Sequence, residues 1–358
     1  MWRALLLSGA LGLAAIAGLL PKGPTAVGPA AAAAPPAPVV AALWADWRGR
    51  FVREDGRVVD DGNRGISHSE GQGYGMLLAV RGDDRATFDR LWTFTRGALG
   101  LRGDGLFAWR YDPAATPRVA DTNDATDGDI LIAWALAEAA RRWDAPDYAA
   151  DAAVIARAVQ SLAVIDHGGR RLLLPAAVGF AAADRRDGPV VNPSYWVFPA
   201  FPALAEVAPE YAWDRLVAGG LDLLAVARFG EARLPPDWLA LGGGAPRPAA
   251  GFPAEFGWNA LRVPFYLAWA GGDARLLEPW RALWKDPDAD PHAIPFDGRA
   301  PVRFGEGGYR AVPAFLACAL DGRPLPADLK APAHEPYYPA TLRLLAVVAA
   351  AERYPACL

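Results

Sequence analysis

The sequence predicts an all-α protein in one large domain, its helical hairpins closed into a double ring. Three observations lead there. Apolar residues recur at three- and four-residue spacing in segment after segment, clear alternating strands are few, and no βαβ rhythm or glycine-rich phosphate loop occurs. Taken in order, the apolar stripe runs through 39–50, 73–80, 86–98, 130–142 and 149–163. It continues through 213–228, 260–270, 276–283, 312–320 and 339–354, with polar, glycine- and proline-rich connections between. The best short strand candidates are 51–59 and 170–174. About eleven or twelve helices must each bury one stripe, which stacked hairpins closed into a ring achieve. An open array is the alternative, but no fixed repeat supports a solenoid.

Composition narrows the class. Of 358 residues, 53% are hydrophobic and 21% charged, which suits a sizeable core. The formal charge is −4 and no long basic run appears, so nothing marks a nucleic-acid partner. Fourteen Trp outnumber the 2 Cys, 2 Met and 4 His combined. More than half of them fit a core; the rest suit a groove that stacks on the apolar faces of sugars. His68, His167, His292 and His334 are scattered, so neither a metal site nor a cofactor is expected.

The N-terminus predicts export. Arg3 precedes an apolar run over 4–20, and a small-residue stretch follows at 28–34. That is the layout of a signal peptide over residues 1–34, with an uncleaved anchor as the alternative. The Ala/Pro segment 24–38 reads as a cleavage region or tether before the single domain at 35–358. The expected location is periplasmic or secreted. In an oxidising compartment Cys318 and Cys357 can pair and tie down the C-terminus.

Two segments carry chemistry. The first is Ser67-His68-Ser69-Glu70-Gly71-Gln72-Gly73-Tyr74-Gly75-Met76. Ser67 with Glu70, and Ser69 with Gln72, both fit a capping box. Three glycines around Glu70 argue otherwise, because they weaken a helix and admit another backbone or a ligand at close range. The second is Asp121-Thr122-Asn123-Asp124-Ala125-Thr126-Asp127-Gly128-Asp129. Thr126 or Asp127 fits a cap for the helix that follows, yet the cluster holds more carboxylates than one cap requires. Crowded carboxylates raise one another's pKa values, a common device of acid–base sites. The spacing lacks the terminal Glu of an EF-hand loop.

Residues 69–76, with Asp121-x-Asn123-x-Ala125-x-Asp127-Gly128-Asp129 and Ala133-Trp134, resemble the signature segments of family 8 glycoside hydrolases. The resemblance is nearest to the periplasmic endoglucanases encoded with bacterial cellulose synthases. Leu174-Pro175, Val178-Gly179-Phe180, Asn192-Pro193-Ser194-Tyr195, Pro236-Asp237-Trp238 and Tyr337-Tyr338 are similar to later segments, so the likeness spans residues 40–345. It implies an (α/α)6 barrel with a few short strands in loops, inverting cleavage of β-1,4-linked glucan, and no cofactor. It further implies Glu70 as the general acid and Asp127 as the carboxylate that holds and distorts the sugar. Trp109, Tyr195, Trp196 and Trp238 become candidates for stacking along the groove. The implied partners are a β-glucan and, through the operon analogy, a cellulose synthase complex.

The base position departs from the pattern. Where such enzymes carry Tyr-Asp-Ala-x-Arg, this chain reads Trp258-Asn259-Ala260-Leu261-Arg262. An amide cannot deprotonate water as a carboxylate does. An inverting enzyme needs acid and base roughly 6.5–9.5 Å apart. Asp121, Asp124, Glu255 and Glu306 are therefore the alternative bases. A feeble enzyme, or a glucan-binding accessory protein that has lost catalysis, are the other readings that Asn259 allows.

Overall fold

A computed structural model describes residues 37–358. The apolar run at 4–20 and the small-residue stretch after it, with the signal-peptide or anchor reading placed on them, lie outside the described residues. Eleven α-helices occupy the described residues: α1 (Pro38–Phe51), α2 (Ser69–Arg81), α3 (Arg85–Ala98), α4 (Thr126–Trp143), α5 (Pro146–Leu162), α6 (Phe201–Val207), α7 (Trp213–Val226), α8 (Arg262–Trp269), α9 (Ala274–Leu283), α10 (Ala311–Asp321) and α11 (Tyr337–Arg353).

Burial sorts them into two layers. Every residue of α8 is buried, and α2 buries all of Ser69–Val80 except Glu70. Outer helices bury one stripe: α3 only Thr87, Phe88, Leu91, Trp92 and Thr95, and α9 only Leu277 and Trp280. The inner helices pack as α2–α4–α6 and α8–α10–α11, and α11 returns to α2. Helix α1 closes the ring by packing on both α11 and α2, so the first and last described helices share one core. This is the (α/α)6 barrel that the family resemblance implies.

The inner layer depends on close backbone approach. A Cβ at Gly73 would lie 2.6 Å from Leu131 Cβ, and one at Gly128 2.2 Å from Ser69 Oγ. Gly73 and Gly128 thus let α4 press against α2, whereas Gly71 faces the side chains of Tyr337 and His68 and Gly75 those of Val58 and Leu91. At the other end of the chain Cys318 in α10 and Cys357 after α11 form a disulfide with Cα atoms 5.9 Å apart.

Two expectations fail. Residues 51–59 are not a strand: α1 runs to Phe51, and a single bridge between Val52 and Val58 closes a turn. Helix α6 has no counterpart among the predicted segments, because Pro199 and Pro202 break the pattern at its start. The 170–174 expectation corresponds to a strand at Arg170–Leu173 paired with Val164–His167 through a turn at Gly168 and Gly169 (φ 57° and 76°). Among the described residues no helix is long and apolar enough to cross a membrane.

Candidate active site

The N-terminal ends of α2, α4, α8 and α11 converge on one cleft of about 670 Å³. Its walls include Glu70, Asp127, Asn259 and Arg262, with Tyr337 and Tyr338 at the start of α11. Asp60 and Glu306 are the other carboxylates that line it. Glu70 and Asp127 each sit in the first turn of a helix, where free N–H groups favour negative charge.

Neither capping box forms. The cap of α2 is His68, whose Nδ1 accepts the Gly71 N–H at 2.9 Å. Ser67 donates instead to the Val58 carbonyl. Gln72 turns inward, accepting the Val58 N–H at 2.6 Å and donating to Thr95 Oγ1 at 2.9 Å. Glu70 is thereby left to point into the cleft. Its Oε1 accepts from Tyr74 OH at 3.2 Å and pairs with Arg262 Nη1. Its Oε2 lies 3.9 Å from His68 Nδ1, and His68 Nε2 lies 3.5 Å from Asp60 Oδ2.

Arg262 joins the cluster together. One nitrogen serves Glu70 and, at 3.1 Å, Asp127 Oδ2; the other donates to Ser194 Oγ at 3.1 Å and Asn259 Oδ1 at 3.0 Å. Arg262 is 3% exposed and Asp127 2%, so this is a buried ion pair whose removal would strand a charge. Burial pushes the Asp127 carboxyl up to about 7, against the Gly128 N–H that it accepts at 2.8 Å. The Tyr74 phenol, bonded to Tyr266 OH, is pushed well above its usual range, first by burial and then by Tyr266. It therefore stays protonated and acts as a donor.

The four aspartates of the second segment do four different things. Asp121 binds the indole N–H of Trp109 at 2.9 Å and the Asn123 N–H. Asp124 holds the Ala177 N–H at 2.9 Å, and Asp129 holds the Phe107 N–H at 2.9 Å. Burial raises the carboxyls of both Asp124 and Asp129. Only Asp127 reaches the cleft. The helix begins at Thr126 with Ala125 as its N-cap, so neither Thr126 nor Asp127 caps it; Thr126 Oγ1 donates to the Leu174 carbonyl at 2.7 Å.

A model of the glycosyl hydrolases family 8 matches residues 25–352. A probable endoglucanase from Novacetimonas hansenii is 40% identical over 326 residues, covering 89% of this chain and 93% of that protein. The chain belongs to glycosyl hydrolases family 8. It is a glycoside hydrolase. Its fold is similar to endo-beta-1,4-glucanase CMCax from Acetobacter xylinum, at 39% identity and a TM-score of 0.79, over 88% of this chain and 98% of that one. Endoglucanase Cel10 from Klebsiella pneumoniae also has a TM-score of 0.79, at 36% identity over 87% and 99%.

Against this family frame the predicted residues divide. Trp109 and Tyr195 line the cleft with Glu70, Asp127 and Asn259. Trp196 does not reach it: the ring is 1% exposed and donates to the Leu216 carbonyl at 3.0 Å, as a core residue does. Trp238 is not among the residues that line the cleft but adjoins it, its ring edge-on to Tyr195 at 6.2 Å and stacked on Phe252 at 4.3 Å and on Phe180 at 5.6 Å. Of the alternative bases, Asp121, Asp124 and Glu255 are absent from the cleft walls, whereas Glu306 is in them.

Sequence reasoning assigned no role to Arg262, Tyr74, His68, Asp60 or Trp258. All but Tyr74 line the cleft, and Tyr74 bonds to Glu70 from behind. For Arg262 a signal existed, because it closes the very segment in which Asn259 was noticed. Asp237 was also missed. It is 6% exposed behind Asn259 and accepts the N–H groups of Gly257 at 2.9 Å and Ala260 at 2.7 Å, with Asn259 Nδ2 at 3.3 Å. No group of three or more His, Cys, Asp or Glu side chains among the described residues is arranged to hold a metal ion.

Proposed function

We propose that this chain is an inverting endo-β-1,4-glucanase acting on cellulose-like β-glucan, with Glu70 as its general acid. One observation carries the reading: Glu70 alone escapes burial along Ser69–Val80, and it does so into the cleft that Asp127 and Arg262 share. The relatives named endoglucanases support the substrate class.

The cluster suits proton delivery. Two carboxylates share one guanidinium, leaving an uncompensated negative charge that favours uptake of one proton. Tyr74 and Arg262 both engage Oε1 of Glu70, which leaves Oε2 to carry that proton to the leaving glycosidic oxygen. Asp127, fixed beneath the cleft, holds a sugar hydroxyl and helps distort the ring. Trp109, Tyr195 and the exposed Trp258 offer ring faces and edges to successive sugars. The biological setting follows by analogy with the periplasmic family members: export through the N-terminal segment, then trimming of glucan made by a cellulose synthase complex. Recovery of the protein in the cytoplasm of its own cells would refute the export part.

The test is reducing-end release from carboxymethylcellulose by the parent and by Glu70→Gln. A loss of about 10²–10⁴-fold in the variant is expected. Equal release by both would remove Glu70 from the reaction. Asn259 favours a second reading, a glucan-binding accessory protein; folded parent that retains glucan but releases no ends would establish it.

A further inference from the structure

Inversion needs a base, and the residue at the expected position is not one. Asn259 is also tied back at both ends of its amide: its Nδ2 donates to Asp237 Oδ2 at 3.3 Å, and its Oδ1 accepts from Arg262 at 3.0 Å. Asp237 behind it does not line the cleft, and its oxygens already receive the N–H groups of Gly257, Asn259 and Ala260. Of the carboxylates that do line the cleft, Asp127 is committed to Arg262. Asp60 faces His68, on the flank that carries Glu70.

Glu306 differs from all of these. Among the described residues its carboxylate has no hydrogen-bond or ion-pair partner, although it is partly shielded at the cleft wall. It also arrives from the wall that carries Asn259. Phe304 and Tyr309, on either side of it in sequence, both pack on Trp258, with ring centroids 4.4 and 5.3 Å apart. Tyr338 ties the same wall by donating to the Trp258 carbonyl at 3.0 Å. An aromatic bracket therefore fixes the backbone around Glu306 and leaves its carboxylate free.

We propose that Glu306 is the general base, supplying from a loop the carboxylate that Asn259 lacks. The inference rests on the hydrolase reading above. A water held by Glu306 attacks the anomeric carbon from the face opposite the leaving group. As the new C–O bond forms, Glu306 takes the water's proton, the glycosidic C–O bond breaks, and Glu70 protonates the departing oxygen. The sum is one water consumed, one hemiacetal and one alcohol formed, with the proton returned from Glu306 to Glu70 through solvent.

The experiment compares full-length parent, Glu306→Ala, Glu306→Gln and Asp60→Asn on cellohexaose, with and without sodium azide, and measures cellohexaose binding by calorimetry. The expected result is a fall in kcat of about 10²–10⁴-fold for both Glu306 variants, with binding held within about threefold. Azide, which needs no deprotonation, should then restore turnover in Glu306→Ala and yield an α-configured glycosyl azide. A structural role for Glu306 would not give that product. Glu306→Ala turnover within about tenfold of the parent would overturn the assignment. So would a loss that azide does not rescue, or formation of the azide product by Asp60→Asn instead. An inactive parent would refute the hydrolase reading, a failure distinguishable from all of these.

Discussion

The two walls of the cleft are built in opposite ways. One is made of helix ends: α2, α4 and α8 bring Glu70, Asp127 and Arg262 together, each bonded to another. The other is made of loop: Trp258 stands 43% exposed, Asn259 has both amide ends tied back, and Glu306 reaches in without a partner. The geometry of the Glu70 side is set by helix packing and by the ion pairs to Arg262. The opposite side relies on ring packing among Trp258, Phe304 and Tyr309, which places a backbone but leaves side chains free to be exchanged. On the proposed assignment, with Glu70 embedded and Glu306 loop-borne, the base can be replaced without dismantling the barrel.

The largest effect that would sharpen this contrast is at Arg262. Arg262→Met leaves Asp127 buried and Glu70 in the cleft with no counter-charge. The expected loss of stability is about 3–5 kcal/mol in denaturant unfolding, and hydrolysis should fail with it. A loss below about 1 kcal/mol would mean that the acid wall is no better anchored than the loop wall. Next comes Gly128→Ala. The added Cβ would meet Ser69 Oγ at 2.2 Å and the Glu70 N at 2.7 Å, both on the facing helix. Backbone cannot yield there as a surface side chain would, so about 1–3 kcal/mol should be lost, with Glu70 displaced and turnover reduced. Unchanged melting and turnover would show that α2 and α4 have slack.

These two positions also explain what could be read from sequence. Glu70, Asp127 and the glycines between helices lie in short continuous segments, because one helix end needs its special residues within a turn. The helices themselves follow from apolar spacing, apart from α6, whose prolines hide it. Glu306 is another matter. It is one of four candidate bases in the sequence, and nothing there sets it apart from Asp121, Asp124 and Glu255, since Phe304 and Tyr309 acquire meaning only when they close on Trp258, far away in sequence. Trp196 errs in the reverse direction: an aromatic beside a motif looks like a groove residue until its burial is known. The job of each aspartate in 121–129 was likewise hidden, because Asp124 and Asp129 hold N–H groups of segments elsewhere in the chain.

The smallest effect asks which carboxylate on the acid wall holds the shared proton. Burial raises the Asp127 carboxyl from an ordinary 3.8 to about 7 in the folded protein. Between those values the folded chain binds a proton at this site that the unfolded chain does not, so stability falls as pH rises through the window. Asp124, Asp129 and Asp237, also raised by burial, act in the same direction, while Glu138 and Asp104, which are lowered, act in the other. The parent curve alone is therefore a mixture. The difference between parent and Asp127→Asn cancels the distant groups, because an amide does not titrate, and reports the Glu70–Asp127–Arg262 cluster. Unfolding free energies at pH 4, 5.5 and 7 should show the parent losing ground to the variant as pH rises. A constant difference across the window would mean that Arg262 keeps Asp127 ionised throughout, and the proton would then reside on Glu70 before substrate arrives.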